Sequence, residues 1–329
     1  MDASLDLSRW RESPRGVGYR RGMMIVTGIR QLLQLRLFQV LISIAWSGGL
    51  AVAVLGFVFS QSVASGGWVE SLAVYFGPRG QAFAAVLSGL VLLYPDICID
   101  GWFTAVFWGH SYLGLMLSLI ALTTMVPRLI ALDRSTHALT VYLSRPLTSG
   151  DYLLGKLGLI AGVLALLWTG PLLFGWLLSV AFAPGTDFIV YSFGPLLRAL
   201  AFHAVALVVL SALALGVSAL SRTSRTATMA WIGLWLVFGA MAQPPKAPVW
   251  IKRASFTQNL SEVRQGIFKL DRALTLAADT LPLFDQRTKQ NLTGAGRRVE
   301  AADFPGALAS LAAFVAAACI VFLRRLRPE

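Results

Sequence analysis

Long stretches of this chain carry no charge, and they alternate with short segments in which arginine and lysine cluster. A helix crossing about 30 Å of hydrocarbon needs roughly 20 apolar residues. Six stretches meet that requirement, at approximately 37–59, 112–131, 153–183, 192–220, 226–243 and 306–323. The third and fourth are longer than a bilayer needs and are expected to tilt or project beyond it. The predicted fold class is all-α. It is a polytopic membrane protein of six transmembrane helices, with an N-terminal interfacial helix and a large outer loop containing an amphipathic helix.

The pattern admits one further span. Residues 81–99 are apolar enough to cross, which would place the Arg-rich C-terminus outside and invert every later loop. The preferred reading is a re-entrant or interfacial helix on the outer face. Tyr94, Trp102, Phe103, Phe107 and Trp108 would then form an aromatic belt on the outer surface.

Two segments read as amphipathic. Residues 20–36 combine Met23, Met24, Ile25, Ile29, Leu32 and Leu33 with Arg20, Arg21, Arg30 and Arg36, as suits a helix lying in the cytoplasmic interface. In the second, Phe256, Leu260, Val263, Ile267, Leu270, Leu274, Ala277 and Leu281 recur at steps of four and three. That spacing predicts one stripe of a single helix, ended by Pro282. The stripe is either a lid packed on the protein's own outer surface or a docking face for a partner or a second copy.

Composition agrees with the pattern. Of 329 residues, 56% are hydrophobic and 13% charged, against about 25% charged in soluble domains. The net charge of +12 would favour nucleic acid in a soluble protein, but here the basic residues sit between apolar spans and no aromatics interleave with them. No nucleic-acid partner is expected; the surrounding partner is a lipid bilayer. Cys98 and Cys319 lie in different settings, so no disulfide is expected between them, and neither has metal-ligand neighbours.

The basic residues also orient the chain. Arg9, Arg11, Arg15, Arg20, Arg21, Arg30 and Arg36 precede the first span, and Arg128, Arg134, Arg145 and Lys156 surround the loop after the second. Arg222 and Arg225 separate spans four and five, and Arg324, Arg325 and Arg327 follow the sixth. With six spans all these segments fall on one side, so both termini are expected in the cytoplasm. The polar, Arg-rich N-terminus does not read as a cleavable signal peptide.

Residues Gly150 to Lys156, GDYLLGK, match most of the phosphate-binding pattern G-x-x-x-x-G-K-[ST]. The match fails where magnesium would be held, because Leu157 replaces the hydroxyl. A span begins immediately afterwards, so the segment cannot open a nucleotide-binding domain. No cofactor is expected on this chain, and ATP hydrolysis, if it drives the protein, must occur on another polypeptide.

The surrounding loop, DRSTHALTVYLSRPLTSGDYLLGK at 133–156, resembles the cytoplasmic loop of ABC-2 type permeases. The residues that carry the resemblance are Asp133 and Arg134, then Leu139, then Leu143, Ser144, Arg145 and Pro146, and finally Tyr152, Gly155 and Lys156. The departures are His137 for the usual glycine, Ala138 for threonine, Thr140 for a frequent acidic residue, and Ser149 and Gly150 at basic positions. The resemblance implies a permease of an ABC exporter, not itself an enzyme. Asp133, Arg134, Leu139, Ser144, Arg145, Pro146, Tyr152, Gly155 and Lys156 would couple it to a separate ATPase subunit carrying ATP and Mg. It further implies a second permease copy or paralogue and the cytoplasmic membrane of a prokaryote. The expected organisation is a tail and interfacial helix at 1–36 and a permease domain at 37–329. That domain would have outer loops near 60–111 and 244–305 and a coupling loop near 132–156.

His203 lies within the fourth span, with Arg198 nearer its outer end. An ionisable group inside a span is a candidate for the substrate path, although a hydroxyl or carbonyl on a neighbouring helix can also satisfy a neutral histidine. His110 reads as structural. No Asp or Glu lies deep in any span, which counts against a transporter driven by an ion gradient. That class and a non-transporting membrane scaffold are the alternatives.

Overall fold

The computed structural model describes residues 16–62, 68–135, 149–243, 247–280, 286–299 and 303–325, and every regular element among them is a helix. Six helical stretches are long and apolar enough to cross a membrane: Arg36–Gln61, Pro95–Arg134, Gly150–Ala181, Asp187–Leu220, Ser224–Ala242 and Phe304–Phe322. They overlay the six expected spans. The protein is an all-α polytopic membrane protein.

In chain order, α1 (Val17–Leu33) precedes the first span, α2 (Arg36–Gln61). Two shorter helices follow, α3 (Trp68–Tyr75) and α4 (Gly77–Leu93). The second span is α5 (Pro95–Val126), continued by a widened turn (Pro127–Ala131) and a last turn, Leu132–Ser135. The third is α6 (Ser149–Leu164), a widened turn (Ala165–Thr169) and α7 (Gly170–Ala181). The fourth is α8 (Asp187–Leu220), at 1.5 Å per residue about 50 Å long and well beyond a bilayer core. The fifth is α9 (Ser224–Ile232), a widened turn (Gly233–Val237) and α10 (Phe238–Ala242). Then come α11 (Val249–Ala254), α12 (Phe256–Phe268), α13 (Leu270–Thr280), α14 (Gln286–Val299) and the last span, α15 (Phe304–Arg325).

In hydrocarbon there is no hydrophobic drive between helices, so close approach depends on small residues. The crossing of α2 with α7 follows that rule. A Cβ on Gly49 would stand 2.5 Å from the Pro171 carbonyl, and one on Gly175 would stand 2.5 Å from the Gly49 carbonyl. Both obstacles are backbone atoms, so neither can turn aside. One turn further along, Ser179 Oγ accompanies the contact, 3.3 Å from the Val52 carbonyl. Helix α5 packs on α8, and α8 on α15. The core between them buries Trp168, Trp231, Phe107 and Phe202.

Three expectations need correction. The second span was read from 112, but α5 begins at Pro95, a residue suited to a first helical turn because it has no N–H to leave unpaired. The chain breaks at Tyr94, so the ambiguous 81–99 stretch is divided between α4 and the start of α5. The aromatic belt is absent as such. Phe103 and Phe107 are 1% and 0% exposed in the core, and Trp102 stacks on Phe59 with centroids 4.7 Å apart. Helical spacing could not tell an interfacial girdle from a buried face.

The third correction concerns the stripe from 256 to 281. It is not one helix, because Lys269 adopts the left-handed conformation (φ 53°) and separates α12 from α13. Phe256, Leu260 and Val263 are each 0% exposed. This part of the stripe is used inside the chain and is unavailable as an outer docking face.

Candidate functional site

The two ends of the 133–156 motif meet at one end of the bundle, called here the motif end. They do so because side chains of α6 reach the last turns that follow α5. Asp133 sits in the last turn after α5, and Tyr152 and Lys156 occupy successive turns of α6, where a spacing of four puts them on one face. The Tyr152 hydroxyl lies 2.7 Å from Asp133 Oδ2 and 3.0 Å from the Leu129 carbonyl, so one proton serves two acceptors. Lys156 Nζ stands 2.8 Å from the same carboxylate oxygen. Tyr152 is 1% exposed, so its hydroxyl has little recourse to water.

The widened turn Pro127–Ala131 explains why such partners are needed. Pro127 has no N–H, and a turn with i→i+5 bonding leaves backbone groups without their usual α-helical partners. Ser218 Oγ of α8 accepts from the amides of Ile130 and Ala131, at 2.9 and 3.2 Å. The Leu129 carbonyl goes to Tyr152. The base of the second span is thus bonded to the third through Tyr152 and to the fourth through Ser218.

Arg134 extends the connections. Its Nη1 donates to the Ala219 carbonyl at 2.9 Å and its Nη2 reaches the Arg325 carbonyl at 3.4 Å. Those carbonyls close α8 and α15, where the dipole favours a cation. Arg21 of α1 bonds and ion-pairs with Asp151, which is 5% exposed in the first turn of α6. Between these two helices the spacing is set by glycines: Gly155 meets Met24, Gly158 meets Ile25 and Gly162 meets Ile29. A cavity of about 800 Å³ opens beside this cluster. It is lined by apolar residues including Met24 and Leu159, and by Arg128, Asp133, Lys156 and Arg225.

Of the residues singled out in the sequence, Asp133, Arg134, Tyr152, Gly155 and Lys156 are therefore brought together. Gly155 serves as a seat for Met24. Leu139, Ser144, Arg145 and Pro146 lie outside the described residues. The GDYLLGK segment is helical throughout, which is incompatible with a phosphate-cradling loop. Sequence reasoning missed Ser218 and Asp151. Asp151 had a legible signal, an acid in a first helical turn, where the dipole favours negative charge. Ser218 had none, since its partners are backbone amides of another helix.

His203 is distant in sequence from this cluster and lies in α8. Its ring is 4.2 Å from that of Trp168, and its Nδ1 is 3.4 Å from the Thr169 hydroxyl. Its Nε2 is buried without a hydrogen-bond partner among the described residues. Trp168, Thr169 and His203 line a cavity of about 200 Å³. Both Trp168 and Thr169 belong to the widened turn of the third span, a feature frequent at functional sites.

Six span-length helices, several of them bonded to one another around an ionic cluster at one end, define a multi-pass membrane protein. The profile of the ABC-2 family transporter proteins matches residues 68–325, and the chain belongs to that family. It is a permease component of an ABC transporter, a membrane transport part that is not itself catalytic. Membership implies an ABC ATPase as partner in general. The match covers α3 to the end of α15 and leaves α1 and α2 outside it. No curated protein and no solved structure matches the chain.

Proposed function

We propose that this chain is the permease of an ATP-driven exporter, paired with a second copy or a paralogue, and moved by a separate ATPase that docks on residues 132–156. ATP and Mg belong to that ATPase. The motif end faces the cytoplasm of a prokaryote and both termini lie there, as the clustering of Arg128, Arg134, Lys156, Arg222, Arg225, Arg324 and Arg325 supports. Leu139, Ser144, Arg145 and Pro146 are assigned to contact with the ATPase.

The observation that carries this reading is the sharing of Asp133 by Tyr152 and Lys156. A force applied to the loop reaches both of its ends at once, because they are bonded to each other. It then passes to the fourth span through Ser218 and Arg134, to the sixth through Arg134, and to α1 through Asp151. Packed helices respond to such a displacement by shifting between discrete arrangements. His203, with its unpaired Nε2 beside a small cavity, lies on the path of the cargo.

Purification of the native complex tests the partner, and a cysteine replacing Arg145 tests the docking site. The expected result is a co-purifying nucleotide-binding subunit that cross-links to position 145. Replacing Asp133, Arg145 and Pro146 together should leave the permease in the membrane but abolish its stimulation of ATP hydrolysis. Transport driven by an ion gradient in liposomes, with no ATPase present, would refute the proposal.

A further inference from the structure

The far end of the molecule, opposite the motif end, holds a buried cation that no carboxylate among the described residues neutralises. Arg264 on α12 is 4% exposed, and its guanidinium lies over the rings of Trp108 and Tyr112, at 4.7 and 5.0 Å. Its Nε and Nη1 are buried without a hydrogen-bond partner, and among the described residues no carboxylate comes within ion-pair distance. The nearest acid in sequence, Glu262, is bound to Arg253 at 3.2 Å. Burial lowers the Arg264 pKa to about 10, with Tyr112 opposing the shift, so the group remains charged at neutral pH. Removing a guanidinium from water costs more than contacts with two rings return. The unbonded Nε and Nη1 donors call for an anion.

An apolar groove lies along the same helix as those two rings, its lining on α5 ending at Ala105. On α5, Cys98, Gly101, Trp102 and Ala105 recur at helical spacing and line a cavity of about 440 Å³. Leu87 and Leu90 of α4 and Leu270, Ala273, Leu274 and Ala277 of α13 form its other walls, and no charged residue lines it. The next turns of the same face of α5 present Trp108 and Tyr112. Because α13 continues α12 across the single left-handed residue Lys269, the groove wall and Arg264 belong to one connected arm packed along α5. Seven residues of helix, or about 10 Å, separate Ala105 from Tyr112.

We propose that the groove and Arg264 form one binding site for an amphipathic anion, with the hydrocarbon chain along Cys98 to Ala105 and a carboxylate or phosphate on Arg264. The volume falls within the roughly 300–1,000 Å³ of ligand sites. The guanidinium suits either head group, because both accept charge-assisted N–H bonds. A neutral lipid would fill the groove and leave the cation unpaired. The inference is independent of the coupling reading and concerns the permease alone.

Cys98 lines the groove and provides the readout, with the exposed Cys319 replaced by serine. The purified chain in lipid nanodiscs is labelled at Cys98 with a fluorescent maleimide. The probes are a long-chain fatty acid anion, the alkyl phosphate of the same chain, and the matching alcohol. The anions are expected to slow labelling at about tenfold lower concentration than the alcohol, a difference of about 1.4 kcal/mol. Arg264→Gln should erase that preference. Protection by one anion and not the other identifies the head group as carboxylate or phosphate. Ala273→Trp, which fills the groove, should abolish protection with Arg264 intact. It also decides the matter, together with the comparison of anion and alcohol on the unaltered groove, if Arg264→Gln does not fold. Equal protection by alcohol and anion, an anion preference that survives Arg264→Gln, or undiminished protection in Ala273→Trp overturns the proposal.

Discussion

The Tyr152 hydroxyl and the Asp133 carboxylate stand 2.7 Å apart, joining the end of the second span to the beginning of the third. They lie nineteen positions apart in the chain, at the two ends of the motif loop. In the proposed coupling, this bond passes a displacement of one helix end to the other. Tyr152→Phe and Lys156→Gln should each lower ATPase stimulation in the assembled transporter. Both act through Asp133, so a double-mutant cycle of Tyr152→Phe with Asp133→Asn should be strongly non-additive. Additive losses would show that the two residues work separately.

Ser218 is expected to matter out of proportion to its size. Ser218→Ala leaves the amides of Ile130 and Ala131 buried without an acceptor, at a cost of about 1–3 kcal/mol. Thermal unfolding in detergent should show a lower midpoint than for Ser211→Ala, a change on the same helix at a residue 4% exposed. Equal midpoints would mean that the turn finds other partners.

The crossing of α2 and α7 depends on hydrogen in place of a side chain at Gly49 and Gly175. Gly175→Val puts carbon against the Gly49 carbonyl, a backbone atom, so the helices must separate. Overpacking of this kind costs about 1–3 kcal/mol. Gly89→Val, where nothing lies within 4 Å, should be tolerated. Yield of folded protein after extraction compares the two directly.

The attachment of α1 rests on the Arg21–Asp151 ion pair and on the glycine seats. Arg21→Asp should release the helix, and adding Asp151→Arg should restore it by exchanging the charges. Thiol labelling of Met24→Cys, whose side chain packs on Gly155, reports the position of α1. Labelling should rise in the single variant and fall again in the double. A rise that persists in the double variant would place the attachment in the apolar contacts alone.

Much of this organisation was legible in residue order. The six spans and the amphipathic α1 follow from the length of apolar runs and from hydrophobic periodicity, both properties of neighbouring residues. The acid–base pair, the tyrosine and the Gly-Lys step of the motif were also visible, and so was the failure of GDYLLGK to be a nucleotide site. The reading erred where one periodicity serves two environments. Phe103 and Phe107 have the spacing of an interfacial girdle and of a core face alike, and only the placement of α8 and α2 against them selects the core.

Local sequence therefore decided that this chain enters a membrane as helices, because hydrocarbon accepts only long runs without charge. Tertiary structure decided which polar groups meet. Ser218 finds Ile130 across 88 positions and Arg134 finds Arg325 across 191. Arg264 finds two aromatic rings but, among the described residues, no carboxylate. Such contacts depend on how helices cross. Crossing is set by shape complementarity between surfaces remote in sequence, as where Gly49 and Gly175 let two backbones touch.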